Sequence, residues 1–127
     1  MKEETQKLLD KASRAIRAAA ALLRDGDIYF AAARAYYAMF YTAQALLSES
    51  GIRSRKHGGI HGAFGEHFIK TGLLDSKFHR WLLDAFDKRT QGDYGIEPLV
   101  TSRDVEQMIE QAREFLHETR RHLGLDA

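Results

Sequence analysis

The chain has 127 residues, 44% of them hydrophobic and 29% charged, and its formal net charge is +1 at neutral pH. That is one domain's length with enough apolar content for a core, and a charge balance that excludes a uniformly basic nucleic-acid binder, so any such surface has to be local. Cysteine is absent, which excludes disulfides, thiolate catalysis and cysteine-ligated zinc.

The start, Met1-Lys2-Glu3-Glu4, carries no apolar signal core, and a cytoplasmic location is the expectation. Residues 3–24 place Leu8, Ala12, Ala15, Ala19 and Leu22/Leu23 at three- and four-residue steps, the helical period. Glu3 and Glu4 in the first turn and Arg24 in the last suit the helix dipole, and Gly26 is the expected stop. Asp27 is the expected N-cap of a second helix over 28–50. That helix is apolar nearly all round, so it should be the centre of a bundle. It is not a membrane span, because Arg34, Thr42, Gln44 and several tyrosines interrupt the stretch 28–47. After Gly51 comes a basic loop with Arg53, Arg55, Lys56 and His57, then a short third helix over 60–70. A fourth helix, capped by Asp75 or Ser76, runs to about Thr90. Gln91 to Val100 reads as a loop, and Thr101 or Ser102 opens a fifth helix to about Leu123. No alternating β-branched run, internal repeat or linker is present, so the expected fold is an all-α, up-and-down bundle of four to five helices forming a single domain over 1–127.

Four features could carry chemistry. Tyr36 and Phe40 share one helical face and Tyr37 and Tyr41 a neighbouring one. The second face reads either as a partly exposed tyrosine edge or as a dimer interface. Arg34 sits inside an apolar helix and needs a partner, such as Asp87 or Asp93, or a route to solvent. It is also a candidate for a polar, phosphate-binding site. The run Arg53, Arg55, Lys56 and His57 is the densest local cation cluster, open to an anion or simply solvated. His57 and His61 stand four apart, but no clean third or fourth metal ligand follows, so no metal site and no cofactor are expected. The fourth feature is Arg89, Asp93 and Tyr94, an arginine, a carboxylate and a phenol at a helix end. They form either an ion pair finishing the helix or a cluster able to grip a phosphate.

Taken in order, Ala33-Arg34-Ala35-Tyr36-Tyr37-Ala38-Met39-Phe40, then Lys56-His57-Gly58-Gly59 with Phe64 and Phe68-Ile69-Lys70-Thr71-Gly72, then Arg89-Thr90-Gln91-Gly92-Asp93-Tyr94, resemble the HEPN family, the higher eukaryotes and prokaryotes nucleotide-binding domain. The likeness is to its small stand-alone prokaryotic branch and covers residues 5–123. It implies a helical bundle that pairs as a homodimer and partners a minimal nucleotidyltransferase in a toxin–antitoxin-like module, with nucleotide or RNA as ligand. Many members are metal-independent RNases whose site is an arginine followed, after four to six residues, by a histidine. Arg89 would be that arginine. The histidine is missing, and Asp93-Tyr94 stand in its place. The string from Arg55 to His61 fits the same spacing but precedes the third helix, the wrong place for the motif. A phenol with an ordinary pKa near ~10 is a poor proton carrier at neutral pH, so the resemblance implies binding over cutting. An RNase using Arg89 with His57 or His61 brought across the bundle is the alternative, and a purely structural bundle a third. Related proteins carry a modifiable tyrosine near this motif, which would make Tyr94 an acceptor for nucleotidylation.

Overall fold

The computed structural model describes residues 1–54, 56–94 and 100–125; the side chains of 91–94 lie outside the description. Arg55, expected in the anion-binding loop, is outside it too.

Helix α1 spans Glu3–Arg24, rich in Ala, Leu, Lys and Arg, all strong helix formers. Its buried face is Thr5, Leu9, Ala12, Ala15, Ile16 and Ala19. Leu9 rather than the expected Leu8 is the fully buried leucine. The helix ends at Gly26, which adopts φ +83°. Gly26 N–H donates to Leu23 and Asp27 N–H to Leu22, the paired bonds that close a helix through a left-handed residue.

Helix α2 spans Ile28–Glu49. Asp27 precedes it, but its carboxylate does not cap: its backbone (φ −89°, ψ 71°) is outside the extended region from which an aspartate reaches the first free N–H groups. Ala31, Ala32, Ala35, Ala38, Ala43 and Ala45 are all buried. Their small side chains let α1 pack along α2. Residues of α2 also meet α3 (His57–Phe64), α4 (Ser76–Tyr94) and α5 (Ser102–His122), which makes it the central helix.

The third helix begins earlier than its glycines suggested. α3 starts at His57, with Gly58 and Gly59 in its first turn. A Cβ at Gly59 would lie 2.0 Å from Ser54 Oγ, so the glycine is what allows the preceding loop to close onto the helix. α3 runs into one π-helical turn, Gly65–Ile69, closed by Lys70 N–H donating to Gly65 at 2.9 Å. Such turns insert one extra residue and re-aim the side chains beyond them.

The Asp75 carboxylate accepts from Lys77 N–H at 2.9 Å and opens α4. This helix continues through Tyr94, one turn past the expected end at Thr90. Gly92 costs a helix only about 1 kcal/mol relative to alanine, too little to stop it. The segment 91–94 is therefore helix rather than loop. Thr101 and Asp104 form a reciprocal capping box at the start of α5. Phe115 of α5 packs against Phe64 and Phe78, with ring centroids 5.3 and 5.2 Å apart. Burial of each such ring supplies about 2–3 kcal/mol. Among the described residues there is no strand, and no helix is long and apolar enough to cross a membrane.

Candidate functional site

Tyr36, Tyr37 and Phe40 project from the middle of α2 toward the start of α3 and the end of α4. On α3 the four-residue spacing of His57 and His61 puts both imidazoles on one face, and that face meets Tyr36. The Tyr36 hydroxyl, in a fully buried side chain, lies 2.7 Å from His57 Nδ1 and 2.8 Å from His61 Nε2. His57 is half-buried within a box of rings: Tyr36 stacks on it at 5.7 Å, Phe40 lies at 4.6 Å, and Tyr37 and Phe86 each at 5.7 Å. His61 is buried, with Phe86 5.0 Å from it. Its carbonyl accepts from His79 Nε2–H of α4 at 3.1 Å. A Cβ at Gly65 would sit 3.0 Å from that His79 ring, so the glycine leaves the room in which His79 lies.

Two arginines complete the group. The Cζ of Arg34 is 4.9 Å, and that of Arg89 5.3 Å, from the centre of the Tyr37 ring. These are cation–π distances. Arg89 thus reaches the cluster from α4, and its charge is felt by both His57 and Tyr36. Burial, then the Arg89 charge, holds the His57 imidazole below its ordinary pKa. Burial, then His57, then His79 bring His61 down to about 4, against the opposing pull of Asp87. Burial, then Tyr37, push the Tyr36 phenol up, with Arg89 opposing. At neutral pH both imidazoles are therefore neutral and the phenol is protonated. A neutral imidazole beside a fixed guanidinium can accept a proton while the guanidinium holds an anion.

The residues singled out from the sequence do not all converge. Arg34, Tyr37, His57 and Arg89 come together. Arg34 makes no ion pair with Asp87, or with any carboxylate among the described residues; its half-buried guanidinium is held on the Tyr37 ring instead. Arg53 is exposed and lines a separate cavity of about 330 Å³ with Gln44, Ser48 and Ile60. Lys56 is exposed at the N-terminus of α3. The basic run is thus no single clamp: its histidine turns inward while Arg53 and Lys56 face solvent. Asp93 and Tyr94 lie on the last turn of α4, and their side chains are outside the described residues. Tyr41 is half-buried, its ring 5.8 Å from Tyr37, with Lys11 Nζ 4.6 Å above it. Tyr36, His61 and Phe86 are members the sequence reading missed. The four-residue histidine pair was visible but was weighed only as a metal site. Among the described residues no three His, Cys, Asp or Glu side chains gather as metal ligands would.

From Arg34 a groove of about 380 Å³ continues between α1 and α2, lined by Lys11, Arg14, Arg17, Arg34 and Tyr41. No acidic residue lines it. Among the described residues Lys11, Arg14 and Arg34 have no carboxylate partner, and Arg17 bonds only the Ser13 hydroxyl, at 3.1 Å.

Residues 5–122 match the family model of the HEPN domain. The chain is 32% identical to "Putative toxin MJ0142" of Methanocaldococcus jannaschii over 96% of its own length and 83% of that protein's. It is 35% identical to the UPF0332 protein glr0978 of Gloeobacter violaceus over 91% and 93%. A second Methanocaldococcus jannaschii protein, "Putative toxin MJ0605", is 30% identical over 97% and 91%.

Proposed function

The chain belongs to the HEPN domain family, and from that premise we propose that it is the RNA-directed toxin component of a toxin–antitoxin-like pair, binding single-stranded RNA and cleaving it without a metal. The single observation that carries this reading is the meeting of His57 with Arg34 and Arg89 around Tyr37. The motif that lacks its histidine in sequence has an imidazole beside its arginine in space.

The chemistry divides among these residues. Arg34 and Arg89 hold a backbone phosphate and offset the charge that builds as its phosphorus becomes five-coordinate. His57, neutral at working pH, takes the proton from the adjacent ribose 2′-hydroxyl. The freed oxygen pair attacks the phosphorus, the bond to the 5′-oxygen breaks, and that oxygen leaves as a hydroxyl after protonation. The products are a 2′,3′-cyclic phosphate end and a 5′-hydroxyl end. The groove of Lys11, Arg14, Arg17 and Arg34 supports a single strand as the ligand, since its cations suit phosphates and Tyr41 and Tyr37 offer ring faces to bases. The names of the two archaeal relatives support the toxin assignment. A minimal nucleotidyltransferase is the proposed partner and a homodimer the proposed working form.

The test is RNA cleavage in the presence of chelator by wild type, Arg89→Ala and His57→Asn. Cleavage to cyclic-phosphate ends by the wild type, lost in both variants, is the expected result. Intact RNA with wild type, bound tightly and released by the variants, would replace cutting with binding alone. Copurification with the nucleotidyltransferase, and light scattering for the dimer, test the assembly.

A further inference from the structure

We propose that Tyr36 locks the tautomers of His57 and His61 to one another and holds the outward Nε2 of His57 as a proton acceptor; the locking stands on geometry alone, and its use in proton transfer rests on the RNase reading above. A phenolic hydroxyl has one proton to give and lone pairs to receive. The Tyr36 oxygen faces His57 Nδ1 at 2.7 Å and His61 Nε2 at 2.8 Å, in a fully buried side chain.

Two bare nitrogens cannot share the single proton, because one lone pair would then face another without water to separate them. Two N–H groups cannot both donate either. The hydroxyl proton would need a third acceptor, and among the described residues Tyr36 has none. Two arrangements remain. In the first, Tyr36 donates to His57 Nδ1 and receives from His61 Nε2–H, so the proton of neutral His57 is on Nε2. In the second, His57 Nδ1–H donates to Tyr36 and Tyr36 donates to His61 Nε2. His61 then carries its own proton on Nδ1, and His57 Nε2 is bare. Either way the two imidazoles carry the same tautomer.

Charge selects between them. The titratable groups acting on the three rings are Tyr37 of α2 and His79, Asp87 and Arg89 of α4. Arg89 acts on the His57 and Tyr36 end, while Asp87 acts on His61. Every proton in the second arrangement is displaced from the His57 end toward the His61 end, away from the guanidinium and toward the carboxylate. The second arrangement is therefore favoured. It leaves His57 Nε2, the nitrogen not engaged by Tyr36, as a base. When that nitrogen takes a proton, one N–H bond forms, nothing else in the bridge breaks, and the Nδ1–H of the new imidazolium already donates to the Tyr36 oxygen. Tyr36 and His61 are positioning residues: they act through His57.

Long-range proton–nitrogen NMR correlation on nitrogen-15-labelled, ligand-free protein near neutral pH reads each tautomer directly. Both histidines as the Nδ1–H form is the expected result, the reverse of free histidine's preference. Both as Nε2–H would keep the lock and overturn the base assignment. One of each would overturn the lock itself. In Tyr36→Phe the constraint is gone, and His57 is expected to revert to the Nε2–H form while the backbone spectrum keeps its dispersion. The wild-type spectrum decides the matter even where that variant does not fold. A matched Nδ1–H pair in a protein that leaves RNA intact would preserve the lock and remove the RNase reading.

Discussion

His57 and Arg89, from different helices, lie against the same ring: the Tyr37 centroid is 5.7 Å from the imidazole and 5.3 Å from the guanidinium carbon. Tyr37 is thus the platform on which base and phosphate clamp are set side by side. Each guanidinium–ring contact is worth about 0.5–1 kcal/mol at such a half-exposed site. Tyr37→Leu should weaken single-stranded RNA binding by roughly tenfold while changing stability by under about 1 kcal/mol. Tyr37→Phe, which keeps the ring, should bind like wild type. Fluorescence anisotropy with a labelled oligonucleotide measures both, and equal affinity for the leucine variant would remove Tyr37 from the site.

Arg34 shares that platform, with its Cζ 4.9 Å from the ring centre. If both guanidinia grip one phosphate, their losses are not independent. Arg34→Ala and Arg89→Ala should together cost less binding energy than the two single changes added, by about 1 kcal/mol or more. Strict additivity in a double-mutant cycle would assign the arginines to different phosphates.

The buried histidine sets a pH dependence whose sign can be worked out. His61 is held down to about 4 from 6.5 in the folded chain, so between those values the unfolded chain binds a proton that the folded chain does not. Stability is then full above about pH 6.5 and is lost as pH falls toward 4, by roughly 3 kcal/mol. The lowered His57 acts in the same direction. The carboxylates held low, Glu49 and Asp104, act only below their ordinary values of 4.5 and 3.8. Urea unfolding across this range should show the slope in wild type, and His61→Phe should flatten most of it. An unchanged slope in that variant would place the titration elsewhere.

Helix periodicity and glycine punctuation carry most of the fold, because both are local. Gly26, Gly51, Gly72 and Gly124 all adopt positive φ at helix ends, as punctuation should. Gly58, Gly59 and Gly92 look the same in sequence yet lie inside helices. What distinguishes Gly59 is Ser54 pressed against it, a contact invisible until the loop is folded. That misreading hid the site, since a helix starting at residue 60 leaves His57 in a loop. Only a helix starting at His57 aims it, with His61, at Tyr36. Tyr36 itself reads as core from its spacing, and it is core. Its polar atom becomes informative only when its two partners are known.

The capping box gives a prediction about stability. Thr101 Oγ accepts from Asp104 N–H at 3.1 Å, and the Asp104 carboxylate accepts from Thr101 N–H at 2.9 Å. Thr101→Ala removes one bond and leaves an N–H of α5 without its side-chain partner, at a cost of about 1 kcal/mol. For a domain of this size that lowers the melting temperature by roughly 4 °C. Calorimetry checks it, and a shift under about 1 °C would mean that solvent caps the helix equally well.

The groove between α1 and α2 sets the salt dependence of binding. With a formal net charge of +1, the chain as a whole attracts a polyanion weakly, so the pull has to come from Lys11, Arg14, Arg17 and Arg34 along this groove. Each phosphate neutralised releases counterions, and for a single strand each contact contributes about −0.7 to the slope of log affinity against log salt. Replacing Lys11, Arg14 and Arg17 by glutamine should flatten that slope by roughly 2 and reduce affinity at low salt. Because none of these three lies in the Tyr37 cluster, cleavage at saturating RNA should continue at the wild-type rate. A short oligonucleotide that fills only the cluster should not sense the change. If the triple variant keeps the full salt slope with a long strand, the strand leaves the cluster by another route, and the α1–α2 groove is a solvated basic face.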